Sequence, residues 1–250
     1  MLKTCFFKFL HVRILACNPN LNQGCFTCGA SWISGKYILT AAHCVEPDQT
    51  DISFFNNPTS NAYNNRVSGT IKTIKHHECW DFDVTDFALT GYDIMLLEAD
   101  TDEEFDQPIR LSTTEQLDDL NDFYPSGHEF ISYGFGQTST GNNARPAFLQ
   151  KTDPPVEYMR CDLLIFYNNR NDIMCYLSEN SVGICSGDSG GPRVQNNIQY
   201  GIHSGVTRSD GVVHPQTGQL LCEGDTQIQK ILDSNTESIC CGSNPPARKY

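Results

Sequence analysis

The run Ile184-Cys185-Ser186-Gly187-Asp188-Ser189-Gly190-Gly191-Pro192 constrains this chain more than any other stretch. Its three glycines and closing proline suit neither a helix nor a central strand. They fit a tight, exposed turn that presents one hydroxyl. Glycine tolerates unusual backbone angles and clears room for N–H groups to converge on a reacting atom. Serine alone is a weak nucleophile. A turn that displays Ser189 therefore needs a histidine to take the proton and a carboxylate to orient that histidine.

Two further stretches carry those groups. Thr40-Ala41-Ala42-His43-Cys44 follows the strand-like run Tyr37-Ile38-Leu39, and Asp93 opens another in Tyr92-Asp93-Ile94-Met95-Leu96-Leu97. T-A-A-H-C, D-I-x-L-L and G-D-S-G-G-P, in that order, resemble the motifs of a chymotrypsin-like (trypsin-family) serine protease. The resemblance runs from Val12 to Leu232. It implies an all-β fold: two six-stranded antiparallel Greek-key β-barrels, the active site between them, and a short C-terminal helix. His43, Asp93 and Ser189 would then be catalytic, the N–H groups of Gly187 and Ser189 would form the oxyanion hole, and no cofactor is expected. Gly187 to Gly191 also fits the G-x-S-x-G elbow of α/β-hydrolases, which would recruit Asp210 with His203 or His214. Short strand-like runs and Gly/Pro/Asn turns flank the elbow, where that fold needs strands alternating with helices, and the context excludes it.

The resemblance also marks a substrate pocket. Gly183 stands where trypsins carry an aspartate, so cleavage after Lys or Arg is not expected. Ser204, Gly205 and Val206 lie on the strand that borders the substrate in the family, and Val206 replaces a glycine, which would narrow the pocket as in elastases. The opposite wall is expected near Gly224. Together these positions imply a preference for small or medium apolar side chains.

Twelve cysteines point to an oxidising compartment, hence a secreted protein. The family implies the bridges Cys28–Cys44, Cys161–Cys175 and Cys185–Cys222. Cys17–Cys25, across Asn18 to Gly24, reads as a hairpin bridge. Cys5, Cys79, Cys240 and Cys241 have no assigned partner. The family's extra bridge in the second barrel is missing at both ends, where Phe130 and Gln195 stand. Thirty acidic against seventeen basic residues give a formal charge of −13, which argues against nucleic acid as a partner. No run of about eighteen apolar residues occurs, so no membrane span is expected. The partners implied are protein or peptide substrates and protein protease inhibitors, acting on a monomer. Met1 to Leu10 makes a poor signal peptide, interrupted by Lys8 and followed by His11 and Arg13, and no I-V-G-G-like activation sequence precedes Cys28. The expectation is a truncated or mis-started chain; the competing reading is a catalytically silent homologue that binds partners.

The strand-like runs Val12–Leu15, Ala30–Ile33, Tyr37–Leu39, Val67–Ile71 and Ile94–Leu97 place a first barrel in residues 1–110, with a hairpin turn at Ser34-Gly35-Lys36. Residues 111–234 form the second, through Glu129–Gly136 and Gln199–Val206, with 235–250 a tail. Glu115 to Gly127 reads as an acidic surface insertion, and Ile228, Ile231 and Leu232 mark the C-terminal helix. His76-His77-Glu78-Cys79 is not read as a metal cluster, because adjacent histidines on a strand face opposite ways. The loop from Asp51 to Thr70 lacks a glutamate, and no calcium site is expected there.

Overall fold

The computed structural model describes residues 11–18, 25–49, 51–56, 67–82, 92–102, 108–122, 128–138, 145–146, 148–153, 155–159, 173–177, 183–209 and 212–220. Strands β1 (His11–Cys17), β2 (Phe26–Ser34), β3 (Tyr37–Thr40), β4 (Asp51–Asn56), β5 (Val67–His76) and β6 (Met95–Asp100) close a barrel in the order β1-β2-β3-β6-β5-β4. Alternation decides which face is inside. Val12, Ile14 and Ala16 of β1 are buried while Arg13 and Leu15 are half-buried, and Ile52 and Phe54 of β4 repeat the pattern. Trp32 meets Phe54 edge-on at 5.7 Å inside the barrel, and each such fully buried side chain contributes roughly 1.5–3 kcal/mol. The segment from Asp51 to Asn56, expected as loop, is therefore a strand. Gly35 turns the β2–β3 hairpin at φ +44°, and its carbonyl accepts the Trp32 Nε1–H at 2.7 Å.

The second half builds β7 (Arg110–Leu111), β8 (Glu129–Gly134), β9 (Gln150–Lys151), β10 (Val156–Met159), β11 (Ile173–Leu177), β12 (Pro192–Gln195), β13 (Ile198–Ser209) and β14 (Val212–Leu220). The ladder β10-β11-β14-β13-β12-β8 returns on itself where β8 pairs with β10, closing a second ring of six strands. β9 extends β8, and β7 lies parallel on β13. The core here centres on Phe130, whose ring meets Tyr176 at 5.7 Å and Tyr200 at 5.3 Å, edge-on in both cases. At the two positions where the family's extra bridge is missing, packing does the work: Phe130 is fully buried and Gln195 Nε2–H donates to the Glu129 carbonyl at 3.1 Å. β12 turns into β13 through Asn196 and Asn197, both left-handed at φ 51° and 65°, a two-residue turn that asparagine tolerates.

The stretch expected as an acidic surface insertion is largely a helix, α1 (Thr114–Asp122). Thr113 and Gln116 cap it reciprocally: Gln116 N–H donates to Thr113 Oγ1 at 3.3 Å and Thr113 N–H to Gln116 Oε1 at 2.9 Å. Leu117 and Leu120, three apart, then drop into the Phe130 core, leaving Glu115 and Asp119 exposed. Among the described residues no helix is long and apolar enough to cross a membrane. The expected C-terminal helix lies outside the described residues, as do Cys161, Cys222 and Gly224.

Candidate active site

His43 sits in a single 3-10 turn, Ala42–Cys44, at the end of β3, and the Cys28–Cys44 disulfide ties that turn to β2. Asp93 lies just before β6, its side chain wholly buried. The two meet twice. His43 N–H donates to Asp93 Oδ1 at 2.9 Å, and His43 Nδ1 lies 2.7 Å from Oδ2. Ser204 Oγ, on β13 of the other barrel, donates to the same Oδ2 at 2.5 Å. Burial pushes the His43 pKa down, but the charge of Asp93 and its hydrogen bond outweigh this and hold the imidazole above its usual value. The remaining ring nitrogen, Nε2, is then suited to accept a proton.

The serine loop is brought to this pair by backbone. Gly29 N–H donates to the Ser189 carbonyl at 2.7 Å, and Gly29's own carbonyl accepts the Thr40 hydroxyl at 2.8 Å, three residues before His43. On the other side Gly190 N–H donates to His203 O at 2.7 Å and His203 N–H to Gly191 O at 2.9 Å. Gly190 allows this seating: at φ +76°, a Cβ would lie 2.1 Å from Thr40 Oγ1 and 2.4 Å from Gly29 O. We expect Gly190→Ala to cost at least about 2 kcal/mol in denaturant unfolding, through both strain and overlap. Wild-type stability in that variant would mean the barrels are not docked through this contact.

Gly187, at φ +98°, is buried beside Asp188. Asp188 Oδ1 accepts Gly136 N–H at 2.6 Å and Oδ2 accepts Cys185 N–H at 2.9 Å. Burial raises the Asp188 pKa, and these two N–H groups together with Arg145 and Arg193 only partly offset it. A cavity of about 250 Å³ opens onto that carboxylate, lined also by Gly134, Gly136, Gly183, Lys151 and Asp153. It lies behind the serine loop, and neither His43 nor Asp93 lines it. Gly183 is exposed and Gly205 half-buried. In the strand register Val206 pairs with Gln216 and Gly205 with Thr217, so β14 is the strand beside this part of β13.

The cysteines divide. Cys17–Cys25 and Cys28–Cys44 are bonded, and Cys79 and Cys175 are each disulfide-bonded. Cys185 carries a free thiol, which corrects the expected Cys185–Cys222 bridge. The Cys185 sulfur is in no disulfide, and its expected partner Cys222 lies outside the described residues. Cys28, His43 and Cys44 place three ligand-type atoms within 4.8 Å of one another, but the disulfide occupies both sulfurs and leaves no thiolate for a metal. His76 is exposed and His77 buried, as neighbours on opposite faces must be.

Sequence reasoning missed a buried polar cluster behind the serine loop. His11 and His203 are buried with both ring nitrogens unpartnered, and Arg193, also buried, lays its guanidinium 3.8 Å over the Tyr176 ring. Burial and Arg13 push His11 down to about 3, and burial, Arg193 and His11 push His203 well below its ordinary value. His11, on β1, reaches this cluster from the first barrel, with its ring 5.5 Å from Phe135, and nothing near it in the chain announces the contact.

Two closed barrels with a histidine–carboxylate pair beside a glycine-flanked serine loop define the fold class, and comparison with known proteins places the chain in a family. The Trypsin family model matches residues 18–217. Serine protease SP24D of Anopheles gambiae is 26% identical over 215 residues, covering 85% of this chain and 74% of that protein. Chymotrypsin-like elastase family member 1 of Homo sapiens is 28% identical over 193 residues, covering 72% and 69%. The structure of neuropsin, a serine protease expressed in mouse brain, superposes with TM-score 0.69 at 20% identity, over 91% of this chain and 96% of its own. The chain belongs to the trypsin family of serine proteases.

Proposed function

We propose that this chain is a secreted serine endopeptidase working through an acyl-enzyme. The observation that supports it most is the His43–Asp93 pair at 2.7 Å, shared with Ser204 and set beside the docked serine loop. In this reading Ser189 Oγ attacks the scissile carbonyl carbon while His43 Nε2 takes its proton. Collapse of the tetrahedral intermediate breaks the C–N bond, and His43 returns the proton to the leaving amine. Water then attacks the acyl-enzyme with the same proton relay, freeing the acid and Ser189. Asp93 fixes the imidazole tautomer and stabilises its charged form. The N–H groups of Gly187 and Ser189 bind the oxyanion, and loss of one such donor costs roughly a hundred- to a thousand-fold.

Gly183, Ser204, Gly205 and Val206 would line the primary pocket, with small or medium apolar residues preferred on the acyl side. A peptide-library digest should then show Ala, Val or Leu before the cut; Arg or Lys as the favoured residue would overturn the specificity. Its partners in this reading are protein or peptide substrates and protein inhibitors.

A further inference from the structure

The turn that displays Gly187 and Ser189 is held from behind by one carboxylate. Asp188 accepts Gly136 N–H and Cys185 N–H, and its own N–H closes the turn on Cys185 O at 3.0 Å. Gly134 and Gly136 give it room, since a Cβ at either would overlap the carboxylate. These charge-assisted hydrogen bonds are strong only while Asp188 is ionised, yet it is buried and burial opposes ionisation. The two N–H groups return part of that cost, and nearby cations return more.

Arg145, an exposed residue between β8 and β9, is placed to do so. Its Nη1 and Cζ lie 2.5 Å and 3.1 Å from where a Cβ on Gly187 would stand, so the guanidinium rests on the bare face of that glycine, one residue from Asp188. We propose that Arg145 is a positioning residue: its guanidinium, laid on Gly187 and within electrostatic reach of Asp188, keeps that carboxylate ionised and so holds the turn carrying the oxyanion donors. The proposal rests on the peptidase reading above for the role of those donors, but not for the charge interaction itself. Gly187's lack of a side chain serves both purposes, freeing its N–H and admitting the guanidinium.

Other charged or titratable groups surround Asp188. Arg193 acts on it from within the second barrel. Tyr133, pushed by burial up to about 12, is neutral. Lys151 and Asp153, 3.7 Å apart, share the cavity and largely cancel each other. Of the two arginines acting on the carboxylate, Arg145 is the exposed one. Its effect is therefore the one that salt screens.

The test uses the full chain with ¹³C-labelled aspartate, the Asp188 carboxyl signal being assigned with Asp188→Asn, alongside the pH profile of labelling by a fluorophosphonate. In Arg145→Ala the Asp188 titration should rise by about one pH unit, and the acid limb of the labelling profile should move up with it. Arg145→Lys should stay close to wild type, and about 1 M NaCl should move wild type in the direction of the alanine variant. Should the alanine variant fail to fold, the lysine variant and the salt titration carry the same comparison. An Asp188 titration that does not move overturns the proposal, and a fall in labelling without that shift overturns it too by assigning Arg145 a merely structural role. A shift in Asp188 with no labelling of wild type supports the charge interaction while removing the peptidase reading.

Discussion

Asp93→Asn should lower kcat for peptide hydrolysis by about 10⁴-fold while leaving the fold intact. Asp93 is wholly buried and accepts three hydrogen bonds, from the His43 N–H, the His43 ring and the Ser204 hydroxyl. Asparagine keeps the shape and one oxygen. If that oxygen stays on the His43 backbone N–H, the new NH₂ faces the ring and Ser204. The imidazole must then accept at Nδ1 and carry its proton on Nε2, where it cannot receive one from Ser189. The loss corresponds to about 5.4 kcal/mol of transition-state stabilisation. KM should change little, since Asp93 is wholly buried and closed to a bound peptide. Steady-state kinetics on an apolar peptide substrate decides it. A fall of less than about tenfold would mean that Asp93 does not fix the tautomer.

Acid should unfold this protein well before its carboxylates alone would require. His11 and His203 are neutral in the folded state and gain protons when the chain opens, so below pH 6.5 the unfolded state binds more protons and stability falls with pH. For His11 the gap between 6.5 and about 3, at about 1.4 kcal/mol per unit, amounts to about 5 kcal/mol lost across that window. His203 acts in the same direction. His43 has the opposite shift: its pairing with Asp93 contributes stability fully present below pH 6.5 and lost as pH rises through its raised folded value. It therefore adds no slope in the acid window. Asp188, raised above 3.8, offsets part of the loss at its lower end. Against a total stability of about 5–15 kcal/mol, the histidine contribution is decisive. Urea melts between pH 7 and pH 3 should show a steep decline that His11→Phe flattens. That variant keeps the ring against Phe135, 5.5 Å away, and should gain about 1 kcal/mol at pH 7 by removing two unpartnered nitrogens. An unchanged slope in His11→Phe would show that the buried imidazole is not what titrates.

Legibility followed periodicity. β1, β2, β3, β5, β6, β8 and β13 coincide with the short strand-like runs between turn residues, and the Ser34-Gly35-Lys36 hairpin announced itself by glycine. β14 did not, because Pro215 and Gly218 are turn-type residues, although the ladder absorbs Pro215 with a shift between Val206 and Arg208 and pairs Gly218 with His203. The helix α1 was hidden by its acidity, while the signal that would have found it, Thr113 with Gln116 ahead of Leu117 and Leu120, was present throughout. At the site, the motifs named His43, Asp93 and Ser189 directly. Ser204 was placed on a substrate-bordering strand, but the partner of its hydroxyl, Asp93, is 111 residues away. Arg145, Arg193, His11 and His203 act on residues far from them in the chain, and chain order says nothing about such neighbours.

The most direct measurement is covalent labelling of the protein by a fluorophosphonate, compared with Ser189→Ala. It asks whether nucleophile, base and oxyanion hole are assembled, whatever the preferred substrate. Stoichiometric labelling that disappears in the alanine variant is the predicted result. Absent labelling in a folded, processed protein, or labelling that survives Ser189→Ala, would contradict the account and leave a trypsin-family fold without the family's chemistry.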